Sequence, residues 1–275
     1  MTPDNPPKML DIYRNLLNAF GPRHWWPAKT PFEVMVGAVL TQAVAWRNVQ
    51  KAIANLEQRG LMSPEKIYHS STAELEELLR PTRYFKMKTK KLQALIRFLV
   101  DEYQGSLERL FKEELIPLRK KLLAVYGLGP ETVDSILLYA GGLPVFVVDE
   151  YTRRIFWRLG FTPEKISYQK LQEFFTANLP AEVQLYNEFH ALIDHLGNRF
   201  CHTNPDCLPC PLKEICHYKN SLADQTTTNS CGSRPPNQPA DPVKPGKKRA
   251  NNNPLNSKPS LTARKKIKAV KNPPN

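Results

Sequence analysis

Cys201, Cys207, Cys210 and Cys216 follow the spacing C-x5-C-x2-C-x5-C. Four thiolates in one short loop can hold a [4Fe–4S] cluster, with the tight C-x2-C pair spanning neighbouring irons. A zinc ion held by the same four sulfurs is the alternative. The chain of 275 residues has only one other cysteine, Cys231. Disulfide-stapled secreted proteins are small and spread their cysteines. Clustering in a cysteine-poor chain points instead to metal chemistry in a reducing compartment, with Cys231 a spare thiol.

Two further groups could do chemistry. Residues 118–140 read LRKKLLAVYGLGPETVDSILLYA. An apolar helix should end near Tyr126, Gly127-Leu128-Gly129 should turn tightly, and Pro130 should open a new helix. Both glycines permit unusual backbone angles. They leave turn N–H groups bare beside a helix N-terminus, a natural anion site. Leu128 reads as an apolar peg between the helices. Downstream, Val145-Phe146-Val147-Val148 precedes Asp149, and a helix is expected over Glu150–Leu159. Asp149 could be a plain N-cap. The apolar run would also bury its approach, in a partly dry setting where charge interactions strengthen.

The elements that must position these groups read as helices. Start signals recur at Thr30-Pro31, at Ser63-Pro64, and at Ser71 with Glu74 three residues on. Apolar residues then follow at helical spacing, as in Phe32, Val36, Val39 and Leu40, or Leu92, Leu95, Ile96 and Leu99. No segment alternates as a strand would. The expected class is all-α, with about ten helices. Past residue 220, Ser, Thr, Asn, Pro, Lys and Arg dominate. Such a segment cannot bury enough surface to order itself. Residues 1–219 are therefore expected as the folded core and 220–275 as a disordered basic tail.

Charge is unevenly spread. Of the net +13, residues from His217 onward carry +10. A basic tail suggests a polyanion partner, because each phosphate it neutralises releases a counterion. Lys247-Lys248-Arg249 and Arg264-Lys265-Lys266 would hold the tail near DNA. A nuclear-import signal is the other reading of such clusters. No apolar run approaches the ~20 residues of a membrane span. The N-terminus lacks a signal-peptide pattern. An intracellular protein with no membrane partner is expected.

Hairpin, Gly/Pro-rich loop and Val-Val-Asp together resemble the signature of the helix–hairpin–helix-GPD superfamily of DNA glycosylases, whose best-known type is endonuclease III. Trp25-Trp26-Pro27, the helix Phe32-Glu33-Val34-Met35-Val36-Gly37-Ala38-Val39-Leu40-Thr41-Gln42, and Val147-Val148-Asp149 with Tyr151 are similar to its 3-methyladenine DNA glycosylase III branch. The resemblance covers about residues 8–216. It implies two helical lobes, one near 30–140 and the other joining 1–29 to 141–200, with a cluster loop at 201–216. Its first cysteine gap is one residue shorter than is usual for endonuclease III, and the branch's best-known form lacks the loop.

The resemblance also implies roles. Asp149 would stabilise the oxocarbenium-like sugar as the N-glycosidic bond breaks and could orient or deprotonate water. Endonuclease III has a lysine that forms a Schiff base where this chain has Glu131. A carboxylate cannot form an imine, so water should attack and the strand should stay uncut. Whether Glu131 assists catalysis is open; it would also suit a helix's first turn. A base must be flipped to be reached, and Trp25, Trp26 and Trp46 would line its pocket by stacking and cation–π contact. Gln42 would fill the gap in the duplex, while Gly127, Leu128, Gly129 and Thr132 would meet the DNA backbone. Lys86, Lys88, Lys90 and Lys91 would flank a DNA-facing turn or form a solvated helix face. Arg199 and Lys213 lie where they could meet phosphates.

The expected function is a monofunctional glycosylase for an alkylated, 3-methyladenine-like base in double-stranded DNA. It is expected to act as a monomer in a prokaryotic cytoplasm, associated with the nucleoid. The alternatives are an endonuclease III-like glycosylase for oxidised pyrimidines or mismatches, and a non-catalytic iron–sulfur DNA-binding protein.

Overall fold

A computed structural model describes residues 8–220. The expected tail beyond 220, with Cys231 and the two basic clusters, lies outside the described residues. Those residues form twelve α-helices and no strand, so the architecture is all-α. No helix among them is long and apolar enough to cross a membrane.

Helices α1 (Met9–Phe20), α2 (Pro31–Leu40) and α3 (Trp46–Gln58) come first. Every residue of α2 from Phe32 to Leu40 is buried. A helix apolar on all sides must sit at the centre of a core. Its start is set locally: Thr30 Oγ1 accepts from Glu33 N, Pro31 fits the first turn, and Glu33 reaches back to accept from Lys29 N. Around it pack α3, α6 (Phe85–Tyr103) and the π-helical turn Ile136–Ala140. Ser63 and Ser71 cap the short helices α4 (Pro64–His69) and α5 (Thr72–Leu79), as their sequence signals predict.

Lys88 of α6 corrects both readings of its lysine row. It is 3% exposed, and its Nζ donates to the carbonyls of Leu40 and Thr82. A cation there meets the negative end of α2. Lys86 and Lys90 are exposed, and Lys91 is half-buried.

After α7 (Leu107–Leu110), α8 (Leu115–Ala124) and α9 (Pro130–Ser135) flank the glycine turn. The chain then runs through Val145–Val148, all buried, into α10 (Glu150–Leu159), α11 (Tyr168–Asn178) and α12 (Val183–Arg199). Phe146 anchors the run by stacking on Phe175 at 4.1 Å and meeting Tyr186 edge-on at 5.2 Å.

One buried charge ties these parts together. Asp134 of α9 has no solvent exposure. Arg119 of α8 grips both its oxygens, at 2.6 and 2.9 Å. Tyr168 and Gln172 of α11 donate to the same carboxylate, and Gln172 also donates to Phe146 O. The hairpin is thus pinned to the segment that delivers Asp149. Removing one partner leaves an uncompensated buried ion, which costs about 3–5 kcal/mol. Arg119→Met should lower unfolding free energy by about that amount in denaturant titration. A loss of less than about 1 kcal/mol would mean that Asp134 is held adequately by Tyr168 and Gln172 alone.

Candidate active site

Asp149 caps α10, as its sequence position allows. Thr152 N and Thr152 Oγ1 both donate to Oδ1, each at 2.7 Å. The cap uses one oxygen only. Oδ2 lies 3.8 Å from His190 Nε2, and the Asp149 side chain is 16% exposed. The cap and the chemical reading are compatible, since a carboxylate has two oxygens.

Asp149 borders a partly open cavity of about 100 Å³. Trp25 and Trp26 supply aromatic wall, and Gln42, Glu131 and Thr132 close it from the α2 and hairpin side. His190 and Asp194 come from α12. Trp26 fits because residue 37 is glycine: a Cβ there would stand 3.3 Å from its indole. Trp46 packs against both other indoles, at 5.6 and 5.4 Å, but stands behind them and lines a separate surface recess.

Charge in the cavity is unusual. Glu131 is solvent-exposed at the cavity rim. Burial of its carboxyl, then the neighbouring Asp149, push its pKa up to about 7, with Arg153 opposing. Burial also raises Asp194, against the attraction of His190. Two indoles and three carboxylates would favour a flat, electron-poor or cationic ring.

His190, Asp194 and Tyr139 escaped the sequence reading. Tyr139 lies in the π-helical turn, a feature frequent at functional sites, and its hydroxyl meets His190 Nδ1 at 2.5 Å. The available signal was His190 and Asp194 four residues apart in an otherwise apolar stretch, which places them on one helix face.

The hairpin joins the cavity through Gln42. Gln42 Nε2 donates to Thr132 Oγ1 at 2.9 Å, while Lys91 Nζ donates to Gln42 Oε1. Leu128 is buried, as a peg should be. The two hairpin glycines differ. Gly127 has φ +78°, and a Cβ on it would come within 2.5 Å of Lys91 Cγ. Gly129 caps α9 in an extended conformation open to any residue, and a Cβ would touch nothing. Only the first glycine is required by backbone geometry.

The cysteine loop is held by α10. Arg158, 6% exposed, donates to Cys201 Sγ at 3.3 Å and to the carbonyls of His202 and Thr203. Arg154 donates to Cys201 O at 2.8 Å. Among the described residues, no three His, Cys, Asp or Glu side chains gather closely enough for one metal ion. Four cysteines in one loop are a donor set that would suit a thiolate-held group. Burial, and then the charges of Cys201, Cys216 and Cys207, push Cys210 up to about 11. A cationic cluster core would remove that penalty, since metal binding deprotonates its thiols.

Comparison with known proteins agrees with this geometry. The HhH-GPD superfamily of base excision DNA repair proteins matches residues 36–181. A Methanocaldococcus jannaschii protein provisionally named a DNA repair glycosylase is 44% identical over 210 residues, covering 76% of this chain and 95% of that protein. The structure of Helicobacter pylori 3-methyladenine DNA glycosylase MagIII, bound to 1,N6-ethenoadenine, superposes with TM-score 0.63 at 29% identity, covering 70% of this chain and 98% of that one. An endonuclease III–DNA complex shares the fold with TM-score 0.68 at 22% identity, covering 78% and 97%.

The hairpin geometry separates two substitutions. Gly127→Ala should destabilise by about 1–3 kcal/mol through left-handed strain and the clash with Lys91, while Gly129→Ala should change stability by less than about 0.5 kcal/mol. Thermal denaturation of both variants checks this; equal effects would contradict it.

Proposed function

The chain belongs to the HhH-GPD superfamily of base excision DNA repair proteins and is endonuclease III-like, and on that premise we propose that it is a monofunctional DNA glycosylase for alkylated, cationic bases. One observation carries the substrate class: the cavity beside Asp149 combines two indoles with three carboxylates and has no lysine among its lining residues. Without a lining amine, no imine with the sugar can form there. A ring bearing positive charge gains from both the indole faces and the acids.

In this reading the duplex lies against the hairpin, Gln42 occupies the gap, and the extruded base stacks against Trp25 and Trp26. The C1′–N bond breaks with its electron pair leaving on the base. A cationic alkylated adenine thereby departs neutral. The Asp149 carboxylate stabilises the oxocarbenium-like sugar. Water adds to C1′ and gives its proton to Asp149 and then to solvent. The product is an abasic site in an uncut strand. Cys201, Cys207, Cys210 and Cys216 would hold a [4Fe–4S] cluster, which organises the loop beside α10 rather than performing the cleavage. The cysteine loop and the likeness to endonuclease III favour a second reading, in which oxidised pyrimidines or mismatched bases are removed.

Duplexes bearing 3-methyladenine, thymine glycol or a G·T mismatch separate these readings. Release of 3-methyladenine, with strand breaks only after alkali, is expected. Breakage without alkali, trapped by borohydride, would refute a monofunctional enzyme. Asp149→Asn should slow release by about 100-fold or more while sparing binding; binding without release on any substrate would favour a non-catalytic protein.

Glu131 adds a pH dependence. Its carboxyl, raised to about 7, is neutral below that pH and loses its attraction for a cation. KM for a cationic lesion should therefore rise as pH falls from 8 to 6, and Glu131→Gln should flatten that change. The purified protein should be brown, with iron and acid-labile sulfide in equal amounts; a colourless protein loaded with zinc would overturn the cluster.

A further inference from the structure

His190 sits on α12 with 8% of its surface exposed. Its two ring nitrogens have different fates. Nδ1 is engaged by the Tyr139 hydroxyl at 2.5 Å. Nε2 is buried and has no hydrogen-bond partner among the described residues. A buried polar atom left unpaired is costly, and such atoms in a native fold call for an explanation. This one borders the cavity and stands 3.8 Å from Asp149 Oδ2, the oxygen that the helix cap leaves free. That separation exceeds a hydrogen bond but lies within ion-pair reach.

We propose that His190 is a positioning residue for the glycosylase reaction: held through Nδ1 by Tyr139, it directs an Nε2 donor at Asp149 Oδ2 and fixes that carboxylate against the sugar. The inference rests on the function proposed above. Its logic is tautomeric. A tyrosine hydroxyl that donates to Nδ1 leaves the imidazole proton on Nε2. Burial raises Tyr139 well above its ordinary value, so its hydroxyl stays protonated. Thr152 already holds Oδ1 by two hydrogen bonds. A donor on the other side would stop the carboxylate from rotating about its last bond. Asp194, four residues on, also faces the cavity, and Asn198 donates to it at 3.0 Å. Asp149 is the nearer acid with a free oxygen. The competing account makes His190 simple packing under Tyr139.

The two accounts differ in what substitutes for histidine. Glutamine can present its side-chain N–H where Nε2 lies; leucine fills the space without a donor. Base release is measured in single turnover on the lesion that the wild type processes, alongside duplex binding and melting temperature. His190→Leu should slow release by about 10- to 100-fold, the usual worth of a hydrogen bond to a charged group, with binding within about twofold. His190→Gln should be at least fivefold faster than His190→Leu. In an Asp149→Asn background, His190→Leu should add no further loss. Equal rates for the leucine and glutamine variants, or a leucine variant within twofold of wild type, would overturn the proposal. Should neither His190 variant fold, Tyr139→Phe decides: slower release with unchanged binding supports the role, and a wild-type rate refutes it. Failure of the underlying reading looks different, because then the wild type releases no base or Asp149→Asn stays active.

Discussion

A carboxylate at the edge of a partly open cavity must point one way and remain reachable. Asp149 meets these demands by dividing its oxygens. One oxygen belongs to the start of α10, where Thr152 supplies both backbone and hydroxyl donors. Those bonds fix the carboxylate at the helix start. The other oxygen is left to the cavity. The rest of the architecture can be understood as what it takes to hold α10 in that place. The run Val145–Val148 brings the chain in through the core, so that Asp149 is the first polar side chain to emerge. Helix α12 forms the facing wall.

The hairpin must keep register with that carboxylate, and hydrophobic packing alone does not specify register tightly. The buried Asp134–Arg119 pair does. A buried ion pair is weak evidence for stability, because desolvation offsets much of the attraction. Its value here lies in specificity: four donors converge on one carboxylate, and Gln172 extends the network to Phe146 O, three residues before Asp149. Farther along α10, about 7.5 and 13.5 Å from its cap, Arg154 and Arg158 grip the backbone of the cysteine loop. A single short helix therefore carries the cap at one end and the loop at the other.

The sequence was most legible where local rules suffice. Thr30, Ser63 and Ser71 announce helix starts, the boundaries of α10 follow from Asp149 and Gly160, and Leu128 is buried because it is the only large apolar residue in its turn. Relations across space were less legible. Nothing local distinguishes Lys88, which joins the last carbonyl of α2 to that of Thr82, from its exposed neighbours Lys86 and Lys90. The difference between Gly127 and Gly129 depends on the stem of Lys91, which comes from another helix. His190 and Asp194 look like ordinary polar residues on a long helix until α10 and the π-helical turn are set against them. Tandem tryptophans suggested an aromatic slot, yet only packing determines that Trp46 stands behind the wall that Trp25 and Trp26 form.

Three acids around one cavity make poor sense on a surface meant for a polyanion, unless something repays their mutual repulsion. Glu131 and Asp194 are both driven towards their neutral forms by burial and by the charge on Asp149. A neutral base would leave that repulsion unrelieved, and its stacking on the indoles would be the same without the acids. A cationic base relieves it on entry, by direct attraction in a setting of low dielectric constant. In the proposed reaction, once the glycosidic bond breaks, the base is neutral and the positive charge sits on the sugar, beside Asp149. The same acids that favoured the charged lesion then have no hold on the product. In the proposed reaction, an acidic cavity of this kind would select for charge at binding and release it after chemistry.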